Sequence, residues 1–161
     1  MLFRSLVLCA LLAVLLLPVS AAHASLFHLE GPVPSDLGVG ANGLAPCQAP
    51  AHCSRASWPV ADAQQALASL LPAVLAMEGV DMVETSERYL HATVTSRLFG
   101  FVDDLELFAD PARGQLQARS QSRLGDSDLG VNARRLDRLH GVLLASGNAS
   151  QSPATREWAT P

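Results

Sequence analysis

The sequence predicts an α+β fold: a single two-layer domain in which a four-stranded, mainly antiparallel meander carries two helices on one face. Three observations lead there. The chain has 161 residues and a mass of 17.0 kDa, one domain's worth of core. Apolar residues recur at helical spacing in two separate stretches. Between them, from Val80 to Arg123, the period falls to two and turn residues punctuate the run. Sequential strands with short links pair as neighbours, and helices cover the apolar side of the sheet they form.

Residues 1–24 read as a secretory signal peptide. Arg4 precedes an apolar run from Leu6 to Leu17, and Pro18 opens a tail ending in Ala22-His23-Ala24. The run is shorter than the roughly twenty residues of a spanning helix, so cleavage after Ala24 is expected and no membrane span should remain. Cys9 leaves with the leader. Residues 25–57 form an extended Gly/Pro-rich arm, since Gly31-Pro32, Pro34, Gly38, Gly40, Asn42-Gly43, Pro46 and Pro50 break any period.

Residues 58–145 carry the α+β domain. Asp62 is placed to cap a helix whose apolar positions are Ala63, Ala66, Leu67, Leu70, Leu71, Val74 and Leu75, with Pro72 bending or shortening it and Gly79 as a stop. Val80 to Thr85 is a short strand. Tyr89 to Arg97 sets Leu90, Ala92 and Val94 against His91, Thr93, Thr95 and Arg97. Phe101 to Phe108 sets Phe101, Leu105 and Leu107 against Asp104 and Glu106. Asp110-Pro111-Ala112-Arg113-Gly114 is a turn by composition, and Gln115 to Gln121 resumes the alternation. A polar loop leads to a second helix marked by Leu136, Leu139 and Leu143, with Asp128 as its cap. Residues 146–161 form a flexible polar tail.

The charge balance narrows the partners. Eleven basic residues, all arginine, stand against fifteen acidic ones, a net of -4, which excludes polyanion binding by bulk charge and with it nucleic acid. The use of arginine without lysine reads as the coding bias of a bacterial source.

Once Cys9 is removed, Cys47 and Cys53 remain, and in an exported chain such a pair is expected to form a disulfide that pins a loop. The alternative sets His52 beside them as a metal or redox site. Zinc commonly takes four ligands, and the spacing is not that of a redox C-x-x-C, so no metal and no cofactor are expected.

Asp103 and Asp104 are adjacent in a strand and point to opposite faces, so they do not share a proton or a metal. Asp103 falls on the apolar side and needs a partner; an ion pair with an arginine of the later loop is expected. The polar side collects Arg97, Asp104, Arg119 and Arg123. On one reading it is a solvated face laced with cross-strand ion pairs. On the other, Arg97, Arg119 and Arg123 converge on an anionic ligand, which guanidinium forks bind bidentately. The stretch Arg119 to Asn132, with Ser120, Ser122, Arg123 and Asp128, joins a strand to a helix and adds further ligand-binding candidates. It lacks the glycine patterns of phosphate loops and the elbow of serine hydrolases.

The runs Tyr89-Leu90-His91-Ala92, Ser96-Arg97-Leu98-Phe99-Gly100-Phe101-Val102-Asp103-Asp104, Arg119-Ser120-Gln121-Ser122-Arg123, and Asp128-Leu129-Gly130-Val131-Asn132 with Arg134-Arg135 closely resemble the family catalogued as domain of unknown function 1499. The resemblance spans roughly Leu44 to Leu144. It implies a small exported or organellar protein with a cysteine pair in a Pro-Cys setting, here Pro46-Cys47 and Cys53-Ser54. It implies no activity. His52 and Ser54-Arg55-Ala56 depart from the Asn and the Val-Ser-Ser that usually flank the second cysteine.

Together these readings point to an exported domain, periplasmic or secreted. Its expected role is non-catalytic binding of a small anionic ligand or an envelope protein through the arginine face and loop. A metal-independent hydrolase or transferase using residues 119–132, and a purely structural interaction module, are the alternatives.

Overall fold

The computed structural model describes residues 29–149 together with Thr155 and Arg156. The signal peptide expected over residues 1–24 and most of the expected tail lie outside the described residues. In chain order the elements are β1 (Val39–Gly40), β2 (Gly43–Leu44), β3 (Cys53–Pro59), α1 (Ala63–Leu75), β4 (Val80–Thr85), β5 (Tyr89–Thr95), β6 (Val102–Asp110), β7 (Gln115–Ser122), α2 (Val131–Ala145) and β8 (Thr155–Arg156). The fold is α+β.

The meander is present as β4-β5-β6-β7, all antiparallel, but the sheet is larger than the four strands expected. Its order is β4-β5-β6-β7-β3-β8, with β3 pairing antiparallel to β7 from Cys53↔Gln121 to Pro59↔Gln115. The first of these added strands lies mostly in the stretch read as arm. Cys-Ser-Arg-Ala-Ser-Trp-Pro has little intrinsic strand character, and it becomes extended because the open edge of β7 offers it a full ladder. Pro59 closes the strand, where its missing N–H costs least. The two-residue β8 meets β3 at Ala56 and Ser57.

Both helices pack against each other and share one apolar core with the sheet. Ala56 and Trp58 of β3, Leu90, Ala92 and Val94 of β5, Leu105 and Leu107 of β6, and Leu116 and Ala118 of β7 meet Leu67, Leu70 and Val74 of α1 and Leu136, Leu139 and Leu143 of α2. His140 stacks on Trp58 with ring centroids 5.2 Å apart. Burial holds its imidazole below the ordinary value.

α1 starts where the sequence places it, with Asp62 Oδ1 accepting from the N–H groups of Gln64 and Gln65 at 3.0 Å each. Pro72 does not end it. The helix runs on to Leu75, because its buried face outweighs the lost backbone bond. Gly79, at φ +71, then turns the chain into β4. The cap of α2 is corrected: it is Gly130, left-handed at φ +77, and not Asp128. Asp128 acts from two residues upstream, its Oδ1 accepting from Gly130 N–H at 2.7 Å and its Oδ2 from Asn132 N–H at 2.8 Å.

The largest departure is on the second face of the sheet. It is not a solvated polar surface but is roofed by residues 29–52, which makes the architecture helices, sheet and covering arm. Asp104, Glu106, Gln117 and Arg119 on that face are each 1% exposed. Leu44 joins Tyr89 and Phe108 in a small apolar cluster there.

Candidate functional site

The strand period sorts the polar motif residues onto two faces, and each face closes its own hydrogen-bond network. Beneath the arm, Glu106 is the hub. Its Oε1 accepts from Tyr89 Oη at 2.7 Å and from the N–H of Gly38 at 2.7 Å, and its Oε2 accepts from Arg119 Nη1 at 3.0 Å. Burial and the bond to Glu106 push the Tyr89 phenol far above its ordinary value. Arg119 also donates from Nη2 to Asp36 Oδ2 at 2.7 Å and to Gln121 Oε1. Arg123 holds Asp104 with a two-pronged contact, Nε to Oδ2 and Nη2 to Oδ1, each 2.9 Å, and reaches Glu30 Oε1 at 3.0 Å. His91 Nε2 lies 2.8 Å from Asp104 Oδ1. Burial opposes ionisation of Asp104, but the bonds from Arg123 and His91 outweigh it and hold its carboxyl below the ordinary range.

Toward the helices, Arg135 of α2 is the hub. It donates from Nη2 to Asp103 Oδ2 at 2.7 Å, and from Nη1 to Ser120 Oγ at 2.7 Å and to Asn132 Oδ1 at 2.6 Å. Ser120 Oγ donates to Asn132 Oδ1 at 2.6 Å. Asn132 Nδ2 donates to Ser122 Oγ at 3.0 Å and to the His52 carbonyl at 3.1 Å. That carbonyl belongs to the loop closed by the Cys47–Cys53 disulfide. The same loop accepts the N–H of Ser122 at His52 and the N–H of Asp128 at Ala51. The disulfide loop is thereby fastened to β7 and to the start of α2.

A cleft opens at this end of the sheet, between the β5–β6 turn, the 122–130 loop and the flank of α2. One lobe, of about 460 Å³, is lined by Arg97, Arg135, Arg138, Glu78, Asp103 and the helix end around Met77. The other, of about 290 Å³, is lined by Phe99, Phe101, Leu124, Leu129 and by Ser122, Ser127 and Asp128. Ser96, Asp103 and Val131 line both lobes.

The sequence model of the family described as protein of unknown function (DUF1499) matches residues 35–143. The chain belongs to the DUF1499 family. No curated protein and no solved structure compared with the chain matches it. The match reaches further toward the N-terminus than the resemblance read from the motifs, which began near Leu44. It therefore includes Asp36 and Gly38, the arm residues that meet Arg119 and Glu106.

In the DUF1499 domain, the site residues named from sequence do not gather in one place. Arg119, Arg123 and Asp104 lie under the arm, and Ser120, Ser122, Asn132 and Asp103 lie toward α2. Arg97 stands apart, its side chain 80% exposed and 3.8 Å from Glu78. The three arginines Arg97, Arg119 and Arg123 do not converge. Asp103 meets an arginine of α2 and not one of the preceding loop. Among the described residues no group of three or more His, Cys, Asp or Glu is arranged to hold a metal, and no helix is long and apolar enough to cross a membrane.

Reading by residues missed Arg135 and Arg138. Both stand on α2 three residues apart, a spacing that places them on one helical face, and that signal was present in the sequence. Asp36 and Glu30 carried no such signal, since nothing in an aperiodic arm marks which carboxylate will find an arginine.

Proposed function

We propose that this DUF1499 domain is a non-catalytic binding module of an exported protein and that it takes a small anion in the arginine-bearing lobe of the cleft. One observation carries the reading. Under the arm, Arg119 and Arg123 both meet carboxylates, whereas Arg138 is exposed and forms no ion pair with a described residue. In the lobe, Arg135 is engaged by Asp103, and Arg97 faces Glu78 only at 3.8 Å across solvent, a contact worth little. Three guanidinium groups against two carboxylates leave one net positive charge facing the cavity. Arg97, the exposed member of the original candidates, becomes an anchor beside Arg138. Ser122 and Asp128 border the cleft, and Ser120 and Asn132 hold Arg135 at its wall, whereas Asp104, Arg119 and Arg123 are spent under the arm on the other face.

The disulfide supports export, because such bonds persist in oxidising compartments. A binding role is also supported by two serines of β7: Ser120 Oγ donates to Asn132 Oδ1 and accepts from Arg135, Ser122 Oγ accepts from Asn132 Nδ2, and neither of these contacts is with a base that would activate the hydroxyl. Titration of the 15N-labelled oxidised domain with acetate and with inorganic phosphate tests the proposal. Saturable amide shifts are expected at Thr95, Ser96 and along α2 near Arg138. They should vanish in the Arg97→Gln/Arg138→Gln variant while its remaining spectrum stays folded. Absence of saturable shifts in the parent, or shifts unaltered in the variant, would overturn the reading.

A further inference from the structure

We infer that the ligand is amphipathic: a single-chain carboxylate whose head sits in the arginine lobe and whose hydrocarbon chain fills the neighbouring lobe. The inference rests on the anion-binding reading and names the substrate class of that site. Three features support it.

The two lobes adjoin, since Ser96, Asp103 and Val131 line both. In the inferred pose a molecule held by Arg138 extends past the Asp103–Arg135 pair into the second lobe. One net positive charge in the first lobe matches a monoanionic head better than a dianionic one.

The second lobe is largely apolar, and three of its apolar side chains meet water. Phe99 and Leu124 are 49% and 37% exposed, and Leu129 is 84% exposed. They come from two separate segments and line one lobe, an arrangement that leaves apolar surface in water unless something covers it. The carboxylates that border this lobe are already spent, Asp103 on Arg135 and Asp128 on the N–H groups of Gly130 and Asn132. No unpaired charge would face a hydrocarbon chain.

Leu129 is held at φ +52, the one non-glycine residue with positive φ among the described residues. A bulky side chain in this region is strained and persists where its surroundings demand it. Here the strained backbone presents the isobutyl group at the rim of the lobe.

Calorimetric titration of the oxidised domain with acetate, hexanoate and decanoate, each kept monomeric, provides the test. Affinity should rise about three- to fourfold for each added methylene until the lobe is full, because each buried CH2 is worth about 0.8 kcal/mol. Decanol, which lacks the charge, should bind far more weakly than decanoate. Phe99→Ser and Leu129→Ser, both at exposed positions, should flatten the chain-length dependence and leave acetate binding unchanged. If acetate binds but longer chains bind no better, the amphipathic assignment fails and the anion site stands. If no carboxylate binds, both fail. Binding to phosphatidylglycerol vesicles without binding to monomeric decanoate would also overturn it and make the apolar rim a membrane-facing patch.

Discussion

Asp103 and Asp104 are consecutive in β6, yet their carboxylates lie on opposite faces of the sheet and each ends on a different guanidinium. Arg135 Nη2 donates to Asp103 at 2.7 Å on the helix side, and Arg123 grips Asp104 with two bonds of 2.9 Å on the arm side. Two adjacent acids therefore fasten two different layers to one strand. The first holds α2 and, through Asn132, the disulfide loop; the second fixes the end of β7 beneath the arm and, through Glu30, ties the arm to it.

Arg135→Met should cost about 3–5 kcal/mol, because it strands the buried Asp103 carboxylate and removes donors from Ser120 and Asn132. Adding Asp103→Leu to that variant should restore stability, since a buried pair replaced as a pair leaves no lone charge. Guanidinium denaturation of the parent, both single variants and the double closes the cycle. Strict additivity of the two losses would show that the residues are not coupled.

The depressed Asp104 carboxyl sets an acid limit. A group whose folded value lies below its unfolded value, here 3.8, contributes stability that is fully present above the unfolded value and lost as the pH falls through the folded one. Stability should thus fall steeply below about pH 4. Asp104→Asn should flatten that limb while lowering stability at pH 7 by about 3 kcal/mol, as Arg123 loses its buried partner. Urea midpoints between pH 2 and pH 7 measure both effects. An unchanged acid limb in the variant would assign acid sensitivity to other groups.

Reduction of the Cys47–Cys53 bond, or replacement of both cysteines by serine, should cost about 2 kcal/mol, the low end for a disulfide because its loop spans a sequence separation of only 6. The loss should be local. Amide exchange should accelerate first at Ser122 and Asp128, whose N–H groups bond the carbonyls of His52 and Ala51. Uniform acceleration across β4 to β7 would contradict this anchoring role.

Gly79→Ala should destabilise by more than Gly147→Ala, although the two glycines have nearly the same backbone, φ +71 and φ +73. A Cβ at Gly79 would run into the Thr95 carbonyl, whereas one at Gly147 meets open space. The second substitution should cost only the ordinary penalty of left-handed backbone, about 1 kcal/mol. Thermal melts of the two variants decide it, and equal losses would remove the close approach of Gly79 to β5 as a constraint.

Much of this fold was legible as local pattern. The alternation in Leu90-His91-Ala92-Thr93-Val94 and Leu116 to Gln121 announced β5 and β7, the turn at Asp110 to Gly114 separated β6 from β7, and Asp62 marked the start of α1. β3 was hidden because its seven residues sit in Gly/Pro-rich surroundings and gain their extended form from the edge of β7. The cap of α2 was misread because Asp128 serves the first turn from a distance that no cap pattern anticipates.

By itself the sequence determined which residues alternate, which helices form, that two cysteines lie close enough to join, and that Asp103 and Asp104 face apart. These follow from periods of the backbone, which are properties of neighbouring residues. Only the tertiary structure decided that Arg119, Arg123, Asp104 and Glu106 are buried beneath residues 29–52, and that Arg97 and Arg138 are left beside a cleft. A strand displays its polar side chains in the same way whether water or another segment meets them. Which of the two does so depends on where a distant, aperiodic stretch of chain returns, and on the carboxylates, Asp36 and Glu30, that it brings within reach of the guanidinium groups waiting there.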